Sequence, residues 1–357
     1  MHDTFEGSLN TIAEAVVRRG AAPMAACGFA RRRNGQWISS FSQDNTAFFD
    51  LASLTKPFTA VACALVPNLL DRPLGEALPQ LASAPVARRA IADFLSHRSG
   101  LAAHVPLFLA AVSGGAVSKE NALREAASSL HEGAREAPFP SHAVYSDLGY
   151  ILAGEALAMA TRTANAGAAL EEGLLRSFDL GLHVGTAQGL CARHRDAASR
   201  FVPTESTPWR GGVLRGAVHD DNAWVLTGSS ASGHAGLFGT VQGVLQFASA
   251  VLDGWIYADG SLRHLPFGRL LEEHRDSTWR MGFDGKSRDG SSTAGQTASA
   301  RSIGHLGFTG TSLWIDPDRC AATVLLTNRV HPSREFQGLR DLRGVVHEAL
   351  FAVADRA

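Results

Sequence analysis

The sequence predicts an α+β fold in which one antiparallel sheet, built from both ends of the chain and flanked by terminal helices, lies beside a mainly helical lobe. Strand patterning occurs at 24–42 and again at 278–328, whereas the middle of the chain has alanine-rich helical patterning. The length of 357 residues also exceeds what one hydrophobic core usually serves. We therefore expect an α/β lobe formed by 1–75 and 236–357, and a helical lobe formed by 76–235.

The charge balance argues against nucleic acid and anionic membranes as partners. The chain has 33 basic and 34 acidic residues, with a formal net charge of -1, so no global field attracts a polyanion. Its longest apolar stretch, residues 58–70, contains Pro67 and Asn68 and is too short to span a bilayer. The composition leaves the oligomeric state open.

The amino terminus, MHDTFEGSLN, carries acidic residues and has no apolar segment of the signal-peptide kind. The expected location is therefore cytoplasmic, or periplasmic or secreted if a leader has been removed.

Cysteines and histidines give no metal signature. The four cysteines, at 27, 63, 191 and 320, are widely scattered and match no zinc spacing. The 14 histidines include no His-Glu-x-x-His pattern. We predict reduced cysteines and no metal site.

The chain begins with a helix and a hairpin. Residues 5–19 place apolar side chains at helical spacing. Segments 24–30 and 36–42 are separated by Asn34-Gly35, a strong two-residue turn signal.

Helical patterning follows in four segments. From Ser53 it continues to Leu65, and Pro57 is tolerated in the first turn, where its missing N–H leaves no bond unmade. The other three segments are 85–96, 119–131 and 147–160.

Strand patterning returns near the carboxyl terminus. Segments 278–284, 312–316 and 320–328 are predicted strands, and 285–301 is a loop rich in Gly, Ser and Thr. A last helix is expected over about 335–354.

A lysine stands at position 56 although only Lys56, Lys119 and Lys286 are lysines among the 33 basic residues. Unlike arginine, a buried lysine can lose its proton and act as a base. Ser53 lies at i-3 on the predicted helix, so the two side chains can meet. A base beside a serine activates it as a nucleophile, provided that burial lowers the lysine pKa. The alternative is that Ser53 only caps the helix and Lys56 is solvated.

Tyr145 is one of three tyrosines and stands just ahead of a helix that Ser146 or Asp147 can cap. A phenol there can relay a proton if cations stabilise its anion. The alternative is an ordinary loop tyrosine.

His305-Leu306-Gly307 runs into a predicted strand. Gly307 allows a ligand close to the backbone, and the N–H groups of Phe308 and of Ser53 at its helix start are suited to an oxyanion. His305 alone would more often be a structural histidine.

Together, Ser53-Leu54-Thr55-Lys56, Tyr145-Ser146-Asp147 and His305-Leu306-Gly307 stand in the order and approximate spacing of the three motifs of the serine β-lactamase and penicillin-binding-protein superfamily. The chain resembles in particular the class C β-lactamase-related serine hydrolases. Supporting stretches, which extend the resemblance over nearly the whole chain, are 95–101, 216–223, 233–240, 304–317 and 325–332.

The resemblance implies a β-lactamase/transpeptidase-like fold with an antiparallel sheet of about five or more strands and an active site in the cleft between two lobes. It implies that Ser53 forms an acyl-enzyme, that Lys56 and Tyr145 share general-base and general-acid duty, and that backbone N–H groups of Ser53 and Phe308 form the oxyanion hole. No metal or organic cofactor is required. The predicted substrate-binding residues are Asp147, His305, Gly307 and His234.

The chain departs from its relatives at two motifs. Penicillin-recognising members usually have Lys-Thr-Gly where this chain has His305 and Leu306, so capture of a substrate carboxylate should be weaker. Asp147 replaces an asparagine, and it either serves structure or holds the protons of Lys56 and Tyr145 more tightly. His234 either lines the cleft or, as we favour, is a buried hydrogen-bonded histidine.

The expected function is a serine hydrolase acting on a small ester or peptide, as an esterase or a D-amino-acid or peptidoglycan-type peptidase with weak or no β-lactamase activity. A β-lactamase proper, an acyltransferase and a non-catalytic peptide- or peptidoglycan-binding protein remain alternatives. An α/β-hydrolase is disfavoured because the chain has no Gly-x-Ser-x-Gly.

Overall fold

The structure, a computed structural model, describes residues 3–136, 142–335 and 338–357. Its strands are β1 (Ala25–Arg33), β2 (Gln36–Phe41), β3 (Phe49–Asp50), β4 (Val184–Gly185), β5 (Ser206–Thr207), β6 (Gly212–Val213), β7 (Phe238–Gly239), β8 (Asp284–Gly285), β9 (Ile303–Leu306), β10 (Ser312–Asp316) and β11 (Ala321–Thr327).

The longer helices are α1 (Asp3–Arg18), α2 (Thr55–Leu65), α6 (Lys119–Ser128), α8 (Asp147–Thr161), α10 (Ala187–Arg193), α12 (Asp221–Thr227), α13 (Val241–Tyr257) and α15 (Leu342–Ala354). The helices of one turn or little more are α3 (Leu74–Ala77), α4 (Ile91–Leu95), α5 (Leu109–Val112), α7 (Glu132–Glu136), α9 (Ala166–Ala169), α11 (Ala197–Arg200) and α14 (Phe267–Leu270). Within the described ranges, none of these helices has the length and apolar character needed to cross a membrane.

The main sheet joins the two ends of the chain, as predicted. Its six strands have the order β2-β1-β11-β10-β9-β8, and neighbouring strands are antiparallel. Successive side chains of a strand point to opposite faces, so Cys27 and Phe29 of β1 join the core under α1 and α15. Ala26 and Ala30 instead join the core that includes α13. Terminal helices therefore flank the sheet, and the predicted fold class is confirmed.

The β1–β2 hairpin turns at Asn34 and Gly35, whose φ angles are 52° and 78°. Positive φ at both central residues is what a two-residue hairpin turn requires, so the Asn-Gly signal fixed this connection.

Four predicted elements are clearly shorter than expected, and one of them is the helix predicted at 119–131, which ends at Ser128. The strand predicted at 278–284 is limited to Asp284–Gly285, because Gly282 has a φ of 84° and interrupts it. The helix predicted at 85–96 is limited to Ile91–Leu95, because the carbonyls of Ala87 and Arg89 accept N–H groups from the 74–75 backbone. The last helix begins at Leu342, not at 335, and residues 336–337 lie outside the described ranges.

The middle of the chain also contains short strands that the helical pattern did not predict. β4 pairs with β7, which pairs with β3, and β5 pairs with β6. The β3–β7 pairing ties the segment ahead of α2 to the segment ahead of α13, so it fixes where α2 begins.

Candidate active site

Ser53 lies in a single 3-10 turn, Ala52–Leu54, that leads directly into α2. Ala52 has a φ of 47°, which is uncommon for a residue other than glycine. The buried Asp50 carboxylate holds this conformation by accepting the Ala52 N–H at 2.8 Å. No side-chain cap bond is made at the start of either helical segment. The interpretation of Ser53 as a mere helix cap is therefore wrong.

Lys56 is one turn further on and its side chain is fully buried. Its Nζ donates to Ser53 Oγ at 2.8 Å, to Asp147 Oδ1 at 2.7 Å and to the backbone carbonyl of His234 at 3.3 Å. Three acceptors match the three hydrogens of an ammonium group. The interpretation of Lys56 as a solvated lysine is therefore wrong as well.

Tyr145 approaches Ser53 from the segment ahead of α8. Its hydroxyl lies 3.0 Å from Ser53 Oγ. Its ring packs among those of His97, Trp279 and His305, with centroids 4.6, 4.9 and 6.1 Å away. Lys56 and Tyr145 are thus both within hydrogen-bond distance of Ser53 Oγ.

The charge state of this cluster differs from expectation. Burial alone would lower the pKa of Lys56, but the negative charge of Asp147, with a further contribution from Tyr145, outweighs burial and raises it. The expected lowering is therefore wrong, whereas the tighter hold on the proton expected from Asp147 is confirmed. Burial, reinforced by Asp147, also raises the pKa of Tyr145 against the opposing charge of Lys56. The resting site holds a protonated amine and a neutral phenol.

Asp147 is the counter-charge that produces this state. Burial would raise its pKa, but Lys56 and His104 together hold it below the usual range. His104 Nδ1 lies 3.9 Å from Asp147 Oδ2, so a histidine is near one carboxylate oxygen while Lys56 binds the other.

The third motif passes against the turn that carries Ser53. A Cβ on Gly307 would collide with Thr311 Oγ1 and lie 2.6 Å from the Leu51 carbonyl oxygen. Thr311 donates to that same carbonyl at 3.0 Å. Only glycine fits this approach, which places Phe308 beside Ser53 along one cavity.

His305 and His234 lie behind that cavity. Burial, with the charge of Lys56, lowers the pKa of His305 to about 3, so its imidazole is neutral near pH 7 and packs against Trp279. His234 Nε2 lies 2.8 Å from Asp220, and its Nδ1 lies 3.2 Å from Ser232 Oγ. The structure thus agrees with the buried, hydrogen-bonded interpretation of His234, and only its backbone carbonyl reaches Lys56.

The cavity has a volume of about 440 Å³. The predicted site residues along it are Ser53, Tyr145, Asp147, Gly307 and Phe308. Lining residues that the sequence analysis did not single out include His104, Phe108, His219, Asn222, Arg329 and Arg343.

Sequence signals existed for some of these. His219 and Asn222 belong to the stretch 216–223, and Arg329 to the stretch 325–332, both of which carry the family resemblance without assigning a role to these residues. Arg343 belongs to a helix whose pattern indicated packing, and no local signal marks it.

His97 is a further residue that the sequence analysis missed. It has a φ of 61°, its carbonyl accepts the Val144 N–H at 2.9 Å, and its Nδ1 accepts the Ser146 N–H at 3.0 Å. Burial, with the charge of Lys56, keeps its pKa well below the usual value, so the ring is a neutral acceptor. His97 therefore holds the two residues that flank Tyr145.

Known proteins resemble this chain in both sequence and fold. The sequence profile of the Beta-lactamase family matches residues 3–348. A putative D-alanyl-D-alanine carboxypeptidase of Salmonella agona is 35% identical over 127 residues, which is 34% of this chain and 29% of the relative's length.

Solved structures of the same fold cover nearly the whole chain. A β-lactamase/D-alanine carboxypeptidase from Pseudomonas syringae is 15% identical, with a TM-score of 0.67 over 96% of this chain and 99% of that one. EstCE1, a hydrolase with promiscuous acyltransferase activity, is 16% identical, with a TM-score of 0.69 over 98% of this chain and 99% of that one. The family match together with this fold establishes that the chain belongs to the Beta-lactamase family of hydrolases.

Proposed function

We propose that this hydrolase works through a Ser53 acyl-enzyme on amide or ester substrates. The observation that carries the proposal is the position of Ser53 Oγ, 2.8 Å from Lys56 Nζ and 3.0 Å from the Tyr145 hydroxyl on the wall of a cavity. A serine oxygen between two groups that can exchange protons is the arrangement that nucleophilic catalysis needs.

The mechanism follows from the charge state. Acylation requires Lys56 without its extra proton, so the reaction accelerates as pH rises toward the raised pKa of that amine. The Ser53 proton then passes to the amine as Oγ attacks, and Tyr145 protonates the leaving group and regains a proton from solvent. Backbone N–H groups of Ser53 and Phe308 are the proposed oxyanion donors.

The substrate class is indicated by two arginines. Arg343 is 9% exposed, donates to the Gly307 carbonyl at 3.0 Å and leaves Nε buried without a hydrogen-bond partner. Burial, with the nearby charge of Arg329, lowers the pKa of Arg343 to about 10. Arg343 has no carboxylate partner among the described residues, and both arginines line the cavity. A substrate carboxylate at this end of the cavity would accept charge-assisted hydrogen bonds from the guanidinium groups that line it.

We therefore place the carboxylate-binding function on arginine, which offsets the weaker capture expected from His305 and Leu306. The favoured activity is that of a D-amino-acid carboxypeptidase, in line with the name of the Salmonella relatives. An esterase or acyltransferase is the second candidate, because the third motif carries no cation and EstCE1 has this fold.

The test compares kcat/KM for a peptide ending in D-alanyl-D-alanine, the same peptide with an amidated terminus, and p-nitrophenyl butyrate. Ser53→Ala should abolish all three activities. Arg343→Gln should lower kcat/KM for the free-acid peptide about 10- to 100-fold, the value of one charge-assisted hydrogen bond, and leave the ester rate within twofold. The exposed Arg88→Gln is the matched control.

If Arg343→Gln lowered kcat/KM equally for the free-acid peptide and the amidated peptide, the proposed carboxylate site would be contradicted. Turnover of the ester alone by the wild type would assign the protein as an esterase. Full activity of Ser53→Ala would overturn the whole proposal.

A further inference from the structure

His219 and the turn that carries Ser53 both donate backbone hydrogen bonds to the carboxylate of Asp50. The backbone N–H of His219 donates to Asp50 Oδ2 at 2.7 Å, while Asp50 Oδ1 accepts the N–H of Ala52, the residue before Ser53. Its ring stacks on that of Phe308, with centroids 5.7 Å apart. The imidazole therefore lines the same cavity as the proposed nucleophile.

A buried carboxylate orients this imidazole. Glu205 Oε2 lies 2.9 Å from His219 Nε2, and Arg334 binds both oxygens of Glu205 at 2.8 Å. Burial would raise the pKa of Glu205, but His219 and Arg334 hold it at about 2, so the carboxylate is ionised and can only accept. This hydrogen bond requires a hydrogen on Nε2, so the neutral imidazole has its lone pair on Nδ1, which has no hydrogen-bond partner in the described residues.

Asn222, three residues after His219 and in the first turn of α12, supplies a second acceptor. Its Nδ2 donates to the Val105 carbonyl at 2.8 Å, and because a carbonyl only accepts, this bond fixes the orientation of the amide. The other atom, Oδ1, is buried without a partner, and Asn222 lines the cavity. An unpaired buried acceptor costs about 1–3 kcal/mol, so this atom needs a donor from a water molecule or a substrate.

Other groups at the cavity are less suited to take a proton from water. Lys56 already carries its proton because of Asp147. The hydrogen bond and charge of Asp147 likewise raise the pKa of His104. His305 lies behind Tyr145, away from the cavity wall.

We propose that His219, oriented by Glu205, is the general base of deacylation, and that Asn222 Oδ1 helps to hold the attacking water. This inference rests on the acyl-enzyme proposed above. The water oxygen bonds to the acyl carbon while one water proton passes to His219 Nδ1. The bond between that carbon and Ser53 Oγ then breaks, and Oγ takes a proton from the Lys56 ammonium. The proton on His219 returns through solvent to Lys56, leaving free serine and the carboxylic acid product.

The experiment uses stopped-flow kinetics and intact-mass measurement with p-nitrophenyl butyrate. The variants are His219→Ala, Asn222→Leu and Glu205→Gln, with the exposed His264→Gln as the matched control. We expect His219→Ala to keep the acylation rate within threefold, to lower steady-state turnover about 100-fold, and to accumulate a butyryl adduct on Ser53. Glu205→Gln and Asn222→Leu should show the same pattern with smaller losses.

Hydroxylamine separates a base from a structural residue. It attacks an acyl-enzyme without needing a general base, so it should restore turnover by His219→Ala, with butyryl hydroxamate as product. Wild-type steady-state rates in His219→Ala, or acylation and deacylation falling together without rescue, would overturn the assignment. If His219→Ala does not fold, the same measurements on Glu205→Gln and Asn222→Leu test the assignment: retained acylation, slower turnover and rescue by hydroxylamine support it, and the opposite results overturn it. Absence of any Ser53 adduct in all variants would instead overturn the acyl-enzyme itself.

Discussion

Replacing Asp147 with asparagine removes the counter-charge of Lys56. The ion pair is close, with Nζ and Oδ1 separated by 2.7 Å, and the Lys56 side chain is fully buried. Asp147→Asn keeps the shape and an acceptor oxygen for Lys56 but leaves a buried ammonium without its partner charge.

The free-energy cost can be bounded. At an effective dielectric constant of about 20, two unit charges at this distance attract by about 6 kcal/mol, and the desolvation of both charges offsets much of that attraction. Removing one partner of a buried pair costs about 3–5 kcal/mol. Since the amide oxygen still accepts from Lys56, we expect a loss of about 3 kcal/mol at pH 7, or a Tm about 4 °C lower for a chain of this length. Asp196→Asn removes an exposed carboxylate whose oxygen lies 3.8 Å from Arg200, and it should cost less than about 1 kcal/mol.

The loss should shrink as pH rises. In the wild type the pKa of Lys56 is raised on folding, so its contribution is complete below the unfolded-state pKa and is lost as pH rises through the folded-state pKa. In Asp147→Asn, burial dominates and lowers the pKa of Lys56. The loss of unfolding free energy is therefore larger at neutral pH, and it decreases as pH rises toward the pKa of lysine in the unfolded state. The difference in unfolding free energy should therefore be smaller near pH 10 than at pH 7.

Activity should respond in the opposite sense to stability. Asp147 raises the pKa of both Lys56 and Tyr145, so its removal should move the acidic limb of the kcat/KM profile for p-nitrophenyl butyrate to lower pH, whichever group is the first base. An unchanged limb, or a limb at higher pH, would refute the reasoning that Asp147 sets the protonation state.

Three further predictions concern groups around Ser53. Lys56→Arg should lower kcat about 1,000-fold or more, because a guanidinium stays protonated. Thermal unfolding with a fluorophosphonate-labelling assay checks that the variant is folded, and near-normal turnover would contradict the role of the amine. Gly307→Ala should lower the free energy of unfolding by about 1–3 kcal/mol, because the added Cβ would collide with Thr311 and the Leu51 carbonyl. Chemical denaturation measures this loss, and an unchanged midpoint would contradict it. His97→Gln should lower kcat with little change in KM, because His97 holds the segment that carries Tyr145, and a loss confined to KM would argue against that role.

The sequence was informative where geometry is local. Spacing of i and i+3 predicted the Ser53–Lys56 contact, and Asn34-Gly35 predicted the hairpin turn, because neighbours along the chain decide both. The approach of Tyr145 to Ser53 joins residues 92 positions apart and was reached only through the order of the motifs.

Properties that depend on residues far apart in the chain were harder to predict from the sequence. The apolar surroundings of Lys56 correctly indicated burial, but the sign of its pKa shift depends on the distance to Asp147, 91 positions away. Arg343 could not be found, because helical patterning shows which face of α15 packs and not that one buried side chain reaches the cavity. The predicted boundary between the two lobes stays a prediction.

Identification of the acylated residue decides whether Ser53 is the nucleophile. The wild type, Ser53→Ala and Lys56→Arg would each be mixed with a fluorophosphonate, a penicillin and p-nitrophenyl butyrate, then analysed by intact mass and peptide mapping. We expect a single adduct on Ser53 of the wild type, none with Ser53→Ala, and much slower labelling of Lys56→Arg. An adduct on any other residue, or equal labelling of Ser53→Ala, would contradict this expectation.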